Sequence, residues 1–174
     1  MKFLLPFLAS LGLVSCQSGV PPKTVSNFQP ARYVGEWHEI ARLPNPFEKG
    51  LVAAKATYGL NQDGSLSVKN EGLKNDGRQT SITGRATPMG DISEGKLKVR
   101  FDKFPVSLFA GDYWILDLNS SYTRAIVGSP NRKTLWLLSK NPKDTPGDFT
   151  EAMNQVAAQG FDFSPLIKNP RRLP

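Results

Sequence analysis

The sequence is poor in the residues that most enzymes place at a reacting centre. Its 174 residues include one cysteine, Cys16, and one histidine, His38. If Cys16 is consumed as described below, no thiol remains, and disulfides, thiolate catalysis and Cys-ligated metals drop out together. No Cys/His cluster has metal-ligand spacing, and no Gly-x-Ser-x-Gly elbow occurs, so no catalytic residue, metal or cofactor is expected. Acidic side chains are the minority: 15 Asp+Glu against 22 Lys+Arg, a formal charge of +7. That balance suits anionic partners without choosing among nucleic acid, acidic headgroups and small anions. The basic residues are scattered between candidate strands, which speaks against nucleic acid. No internal repeat or charge block stands out.

The chain opens MKFLLPFLASLGLVSCQSG. Lys2 is a short positive region, and the mostly apolar stretch Phe3 to Val14 suits a signal-peptide core while being too short to span a bilayer as a helix. Leu13-Val14-Ser15-Cys16 resembles the bacterial lipobox, in which the thiol is alkylated by diacylglycerol before cleavage and the new amino terminus is acylated. Residues 1–15 would then be lost, Cys16 would become the anchored first residue, and removal of Lys2 would lower the charge from +7 to +6. A secretory signal with an incidental cysteine is the alternative. Two or more acyl chains anchor stably, at ~0.8 kcal/mol per buried methylene. Gln17 is not the Asp that commonly retains lipoproteins at the inner membrane, so the resemblance implies a bacterial outer-membrane lipoprotein facing the periplasm. Residues 16–30 read as lipidated anchor and tether, and 31–174 as the folded domain.

From Gly35 to Lys140 the dominant signal is period two, broken by turn residues every dozen or so positions. In GKLKVRFDK, Leu97, Val99 and Phe101 alternate with charged residues. Turn chemistry at Asn61-Gln62-Asp63-Gly64, Asn75-Asp76-Gly77 and Ser129-Pro130-Asn131 separates the runs. The pattern predicts eight strands, roughly 35–43, 52–60, 65–73, 78–88, 95–103, 112–119, 122–128 and 133–140. Short links make an up-and-down antiparallel barrel the economical topology, of a size that holds one small ligand. A helix follows, with Thr145 as cap, Pro146 at its first position, Asp148 in a capping box and Gly160 as stop. Its apolar stripe, Phe149, Ala152, Met153, Val156 and Ala157, should lie on the barrel's outer face.

Closure would bring the start of strand one beside the end of strand eight. Trp37 could then plug the floor, Lys140 could pack across its face, and Gly35 would let the incoming chain approach closely. His38 has the opposite parity and should point outward, in a surface or helix-packing role. At this point the chain resembles the lipocalin family, most closely its bacterial outer-membrane lipoprotein members related to apolipoprotein D. YVGEWHEIARLP looks like the family's first motif, GDYWILDLNSSYTRAIVGSP its second, and KTLWLLSKNP its third. Family members carry Arg or Lys over the Trp, and Lys140 is the less usual choice, without planar stacking. The extracellular members' disulfides and the thiol of the lipocalin-fold prostaglandin synthase are absent.

Ala54, Ala56, Tyr58, Ile82, Ala86, Val99, Phe101 and Tyr113 are the candidate ligand-binding wall. Strand six is ambiguous, since Tyr113 and Ile115 oppose Trp114, Leu116 and Leu118, and both faces look apolar. At the mouth, Lys49, Lys74, Arg78, Lys103, Arg132 and Lys133 could make a positive rim that favours an apolar tail with an anionic head, as in fatty acids or lysophospholipids. Phe104, Val106, Leu108 and Phe109 form an apolar loop there that could fold over as a lid, meet the membrane or form a homodimer contact. The resemblance implies a carrier of small hydrophobic ligands with a role in envelope maintenance. A lipocalin-fold enzyme acting on a lipid, or a purely structural envelope lipoprotein, would be the alternatives.

Overall fold

The computed structural model describes residues 19–103, 108 and 110–173. The expected signal peptide, Cys16, Phe104, Val106 and Phe109 lie outside the described residues. Eight strands form one antiparallel ring: β1 (Gly35–Arg42), β2 (Leu51–Leu60), β3 (Leu66–Lys74), β4 (Gln79–Pro88), β5 (Lys96–Phe101), β6 (Ala110–Leu118), β7 (Arg124–Gly128) and β8 (Leu135–Ser139). Each strand pairs with the next, and β1 pairs with both β8 and β2, which closes the barrel. The expected strands are all present, with ends displaced by a few residues where turns borrow from the ladder.

Two bulges set which side chains face in. In β6 the register slips between Ile115 and Asp117. Tyr113 and Ile115 therefore join the interior, Trp114 and Leu116 face out, and Leu118 returns to the interior beside Ala125. Strict alternation would have left Leu118 outside. In β1 the slip lies between Glu39 and Ala41, so Ile40 and Ala41 both join the outer cluster while Arg42 stands opposite Trp136 on the inner face. A bulge adds one residue to one strand, and every later side chain changes sides.

The outer core lies between β1, β6, β7 and β8 and the segment after Thr145. The capping box forms: the Asp148 carboxylate accepts the Thr145 backbone N–H at 2.8 Å. The first turn, Pro146–Phe149, is 3-10 and leads into α2 (Thr150–Ala157) after the earlier one-turn α1 (Pro30–Tyr33). Phe149 and Val156 are buried against Ile40, Trp114, Leu116, Ile126, Leu135 and Leu137. Ala157, expected in the stripe, is exposed, because it sits ~100° around the helix from Val156, on the solvent side.

A two-residue strand, β9 (Ile167–Lys168), was not anticipated; it lies between Pro165 and Pro170 and has no period to read. It pairs with Ala41 and Arg42 of β1. The neighbouring amides continue the contact, with Asn169 N–H donating to Ile40 O at 3.1 Å and Arg171 N–H to Val52 O at 3.2 Å. The carboxy-terminal segment thus bridges β1 and β2 above His38 and Lys55, where their own pairing ends.

The floor follows the expected closure. Trp37 is fully buried, stacks on Tyr33 of α1 at 4.5 Å, and donates its Nε1–H to Tyr33 O at 2.8 Å. Lys140 Nζ stands 5.1 Å from the Trp37 ring centre and donates to Arg32 O and Val34 O. Phe28 meets the Tyr33 ring edge-on at 5.3 Å and extends the aromatic plug. Gly35 is needed for a different reason from the one expected. A Cβ there would meet nothing within 4 Å, but φ is +103°, a conformation L-residues avoid. Trp37→Ala should lower stability by ~3–5 kcal/mol through the cavity left in the floor. Lys140→Met should cost less, ~0.5–2 kcal/mol, and Lys140→Arg less again, as read from urea midpoints.

Candidate functional site

The inner faces of the strands form a cup whose accessibility changes with depth. On β4 the inward positions run Thr80, Ile82, Gly84, Ala86 from the open end toward the floor. Thr80 is exposed, Ile82 and Gly84 are half-buried, and Ala86 is fully buried. Phe101 and Val99 on β5 repeat the trend, half-buried and then buried. The gradient describes a mouth that solvent enters and a closed base.

All eight expected wall residues lie on inward faces. Ala54, Ala56 and Tyr58 stand opposite Gly72, Asn70 and Val68 across β2–β3. Ala86 stands opposite Val99, Ile82 opposite Asn70, and Gly84 opposite Phe101. Gly84 does more than leave room: a Cβ there would collide with Arg100 O, so the position lets β4 and β5 approach. Asn70 contributes a polar point between Ala56 and Ile82, and its buried Oδ1 has no hydrogen-bond partner among the described residues.

Tyr58 and Tyr113 are less apolar than a wall reading suggests. The Tyr58 hydroxyl donates to Tyr113 Oη at 2.8 Å, and Tyr33 Oη lies 2.8 Å from Tyr113 Oη on its other side. Burial pushes all three phenols above their ordinary pKa, so they stay neutral. Tyr33, carried in by α1, was missed from the wall because it precedes the first strand and has no strand parity.

Nearer the mouth, β1 contributes a buried charged cluster. Arg42 Nη1 donates to Glu39 Oε1 and to Asn169 Oδ1, both at 2.7 Å, while Nη2 donates to Glu48 O and Leu51 O at 3.1 Å. Glu48 Oε2 lies 3.6 Å from Arg42 Nε and accepts the Trp136 Nε1–H at 2.8 Å. Asn169 Nδ2 returns a bond to Glu39 Oε1 at 2.9 Å. One guanidinium thus ties together β1, the turn after it, the start of β2 and the carboxy-terminal segment. Glu39 shares the inward parity of Trp37 and stands opposite Leu138, but the bulge that turns Arg42 inward is invisible in the alternation, and nothing marks Asn169.

The mouth residues divide. Arg78 is exposed and paired with Asp76 at 2.7 Å, and Leu108 is 65% exposed. Arg132 departs from the expected rim role: its Nε donates to Gln159 O and its Nη2 to Val20 O, both at 2.7 Å, so the guanidinium serves the outer layer. His38 points outward as expected, yet it is buried. Its Nε2 lies 3.3 Å from Glu36, and burial lowers its pKa. Among the described residues, no group of three His, Cys, Asp or Glu is placed to hold a metal, and no helix is long and apolar enough to cross a membrane.

The family model for a lipocalin-like domain matches residues 29–171. The chain is a lipocalin. This lipocalin is 37% identical over 172 residues to the outer membrane lipoprotein Blc of Escherichia coli, covering 94% of this chain and 95% of that one. It is 35% identical over 149 residues to apolipoprotein D of Bos taurus, covering 83% and 78%. In fold it is similar to insecticyanin of the tobacco hornworm Manduca sexta, at a TM-score of 0.66 and 23% identity, covering 86% and 84% of the two chains. Family membership supports binding of a small hydrophobic ligand.

Two outcomes test the charged cluster. Asn169→Leu strips polar partners from both Glu39 and Arg42 and should lower stability by ~1–3 kcal/mol in urea titrations. Burial, and then the neighbouring Glu48 carboxylate, push the Glu39 pKa from 4.5 up to about 8 against the pull of Arg42. A carboxyl with a raised folded pKa takes up a proton on folding, so its contribution falls as pH rises from 4.5 to about 8 and is flat above. Glu39→Gln should therefore show a flatter decline of stability over that window than the parent, measured as urea midpoints at successive pH values.

Proposed function

We propose that the lipocalin is a non-enzymatic carrier or store of amphiphiles with one apolar chain and an anionic head, such as fatty acids or lysophospholipids. It is held by acylated Cys16 at the periplasmic face of a bacterial outer membrane and serves envelope maintenance. The observation that carries the reading is the exposure gradient along the inward faces of β4 and β5. A tail entering past Ile82 and Phe101 would lie against Ala54, Ala56, Ala86 and Val99, and would end near the tyrosine trio. Burying an alkyl chain there is favourable at ~0.8 kcal/mol per methylene, which makes chain length the main determinant of affinity.

The head would remain at the rim. Lys49 and Lys103 are exposed at that end, and Lys74 is half-buried. Arg42 is not available to an anion, because Glu39 and Glu48 already hold it. The head's charge would therefore be met by flexible surface cations, a contact weakened by salt.

The test separates tail from head. Ala56→Trp fills the cup beside Trp37 and should reduce laurate binding at least ~10-fold by calorimetry, through lost tail burial. Joint neutralisation of Lys49, Lys74 and Lys103 should weaken laurate but leave lauryl alcohol unchanged. Undiminished laurate binding by Ala56→Trp would place the ligand outside the barrel and sink the reading.

A further inference from the structure

Six large apolar side chains are exposed among the described residues: Val20, Phe47, Leu60, Met89, Leu108 and Ile167. The three most exposed, Phe47 at 72%, Val20 at 68% and Leu108 at 65%, all belong to the open end of the barrel. Phe47 sits in the turn Pro46–Glu48 after β1, and Leu108 lies between β5 and β6. Ile167 stands beside Arg42 at the same end of β1. Isolated apolar side chains on a surface mean little, but a set concentrated on the tips of separate loops around one rim does. Exposed lysines surround them: Lys49, Lys103, Lys133 and Lys168. Of the acids at this end, Asp76 is neutralised by Arg78, Glu48 is engaged with Arg42, and Asp102 is exposed. Apolar tips set among cations are the chemistry of a protein face that meets an anionic bilayer.

A second, independent observation is the path of the amino-terminal segment. Phe28 N–H bonds Ser93 O near the floor, Val25 N–H bonds Ile115 O, and Lys23 N–H bonds Gln159 Oε1. Val20 O then accepts from Arg132 in the β7–β8 loop, at the rim. The segment climbs the barrel's outside from base to mouth. Cys16 is four residues beyond Val20, a reach of at most ~14 Å. An acyl anchor there holds the open end, not the closed one, against the bilayer.

We infer that the rim is a membrane-docking face. Phe47 and Leu108 enter the boundary between headgroups and acyl chains, the four lysines contact anionic headgroups, and the cup opens onto the bilayer that supplies and receives its cargo. The anchor and cargo rest on the carrier reading above, whereas the docking face can be tested apart from both.

The mature chain is made in a Gram-negative host, its acylation is verified by mass, and it is reconstituted in phosphatidylethanolamine vesicles. These contain about one quarter phosphatidylglycerol as the anionic component and lipids brominated along the acyl chain. Phe47→Trp and Leu108→Trp are compared with Met89→Trp at the closed end, each against the parent's own tryptophan signal. The expected result is bromine quenching at 47 and 108 that exceeds that at 89. Equal quenching at all three positions, or none at 47 and 108, overturns the proposal. So does sedimentation showing a dimer that Phe47→Ser with Leu108→Ser dissociates while the Trp variants stay unquenched, since the rim would then face a second copy. With Cys16→Ser in a chain made without residues 1–15, which removes both the acyl anchor and the apolar leader, Lys49→Gln and Lys103→Gln should each lower partition onto the same vesicles ~5-fold. Unchanged partition again overturns it. Laurate binding by the Cys16→Ser chain, measured without vesicles, reports on the carrier reading alone, so the two failures are distinguishable.

Discussion

β1 has to satisfy neighbours along both of its edges within eight residues. On one edge it runs against β8. On the other, Gly35 to His38 pair with β2, and beyond that point Ala41 and Arg42 pair with β9. A closed barrel has no free edge, but two strands that part before their ends leave backbone groups facing a gap. The carboxy-terminal segment supplies the missing partners, and the Arg42–Glu39–Asn169 cluster fixes its position. Closure at the base depends on Trp37 and Lys140, closure at the mouth on Arg42, and both sets belong to or contact the same strand. The cup exists because this strand is satisfied along its whole length.

That arrangement gives the interior two characters. Below, the aromatic plug and the phenols exclude water through close packing and hydrogen bonds among themselves. Above, a guanidinium is shared by the carboxyl groups of Glu39 and Glu48, which also accept an asparagine amide N–H and a tryptophan N–H respectively. A buried ion cluster of this kind is seldom a large source of net stability. Its value here is geometric, since it holds four segments in one arrangement around the rim. The apolar middle of the wall, built largely from alanines and a glycine, lies between these two polar layers.

Much of this was legible in the sequence. The period-two runs located all eight strands, the capping box located the helix, and parity on β2, β4 and β5 assigned wall residues to the inner face. Trp37 and Lys140 could be paired because the ends of an even-stranded barrel must meet. What stayed hidden depends on single-residue irregularities and on partners far apart in the chain. The slips at Ile115/Asp117 and Glu39/Ala41 reverse the facing of Leu118 and Arg42, and no residue type announces them. Asn169 gains its role from side chains well over a hundred positions earlier. Arg132 looked like a rim cation, yet its guanidinium is spent on carbonyls of Gln159 and Val20, a commitment that only tertiary structure creates.

The tyrosine trio has a consequence that follows from counting hydrogens. Three phenols carry three hydroxyl hydrogens, and the Tyr33–Tyr113–Tyr58 chain uses two of them. Whichever way the bonds run, one hydrogen remains to be offered at the foot of the cup. A methyl terminus resting there leaves it unanswered, whereas a terminus bearing an oxygen accepts it. On the proposed carrier reading, the base of the barrel would discriminate by the far tip of its cargo, independently of the charge met at the top.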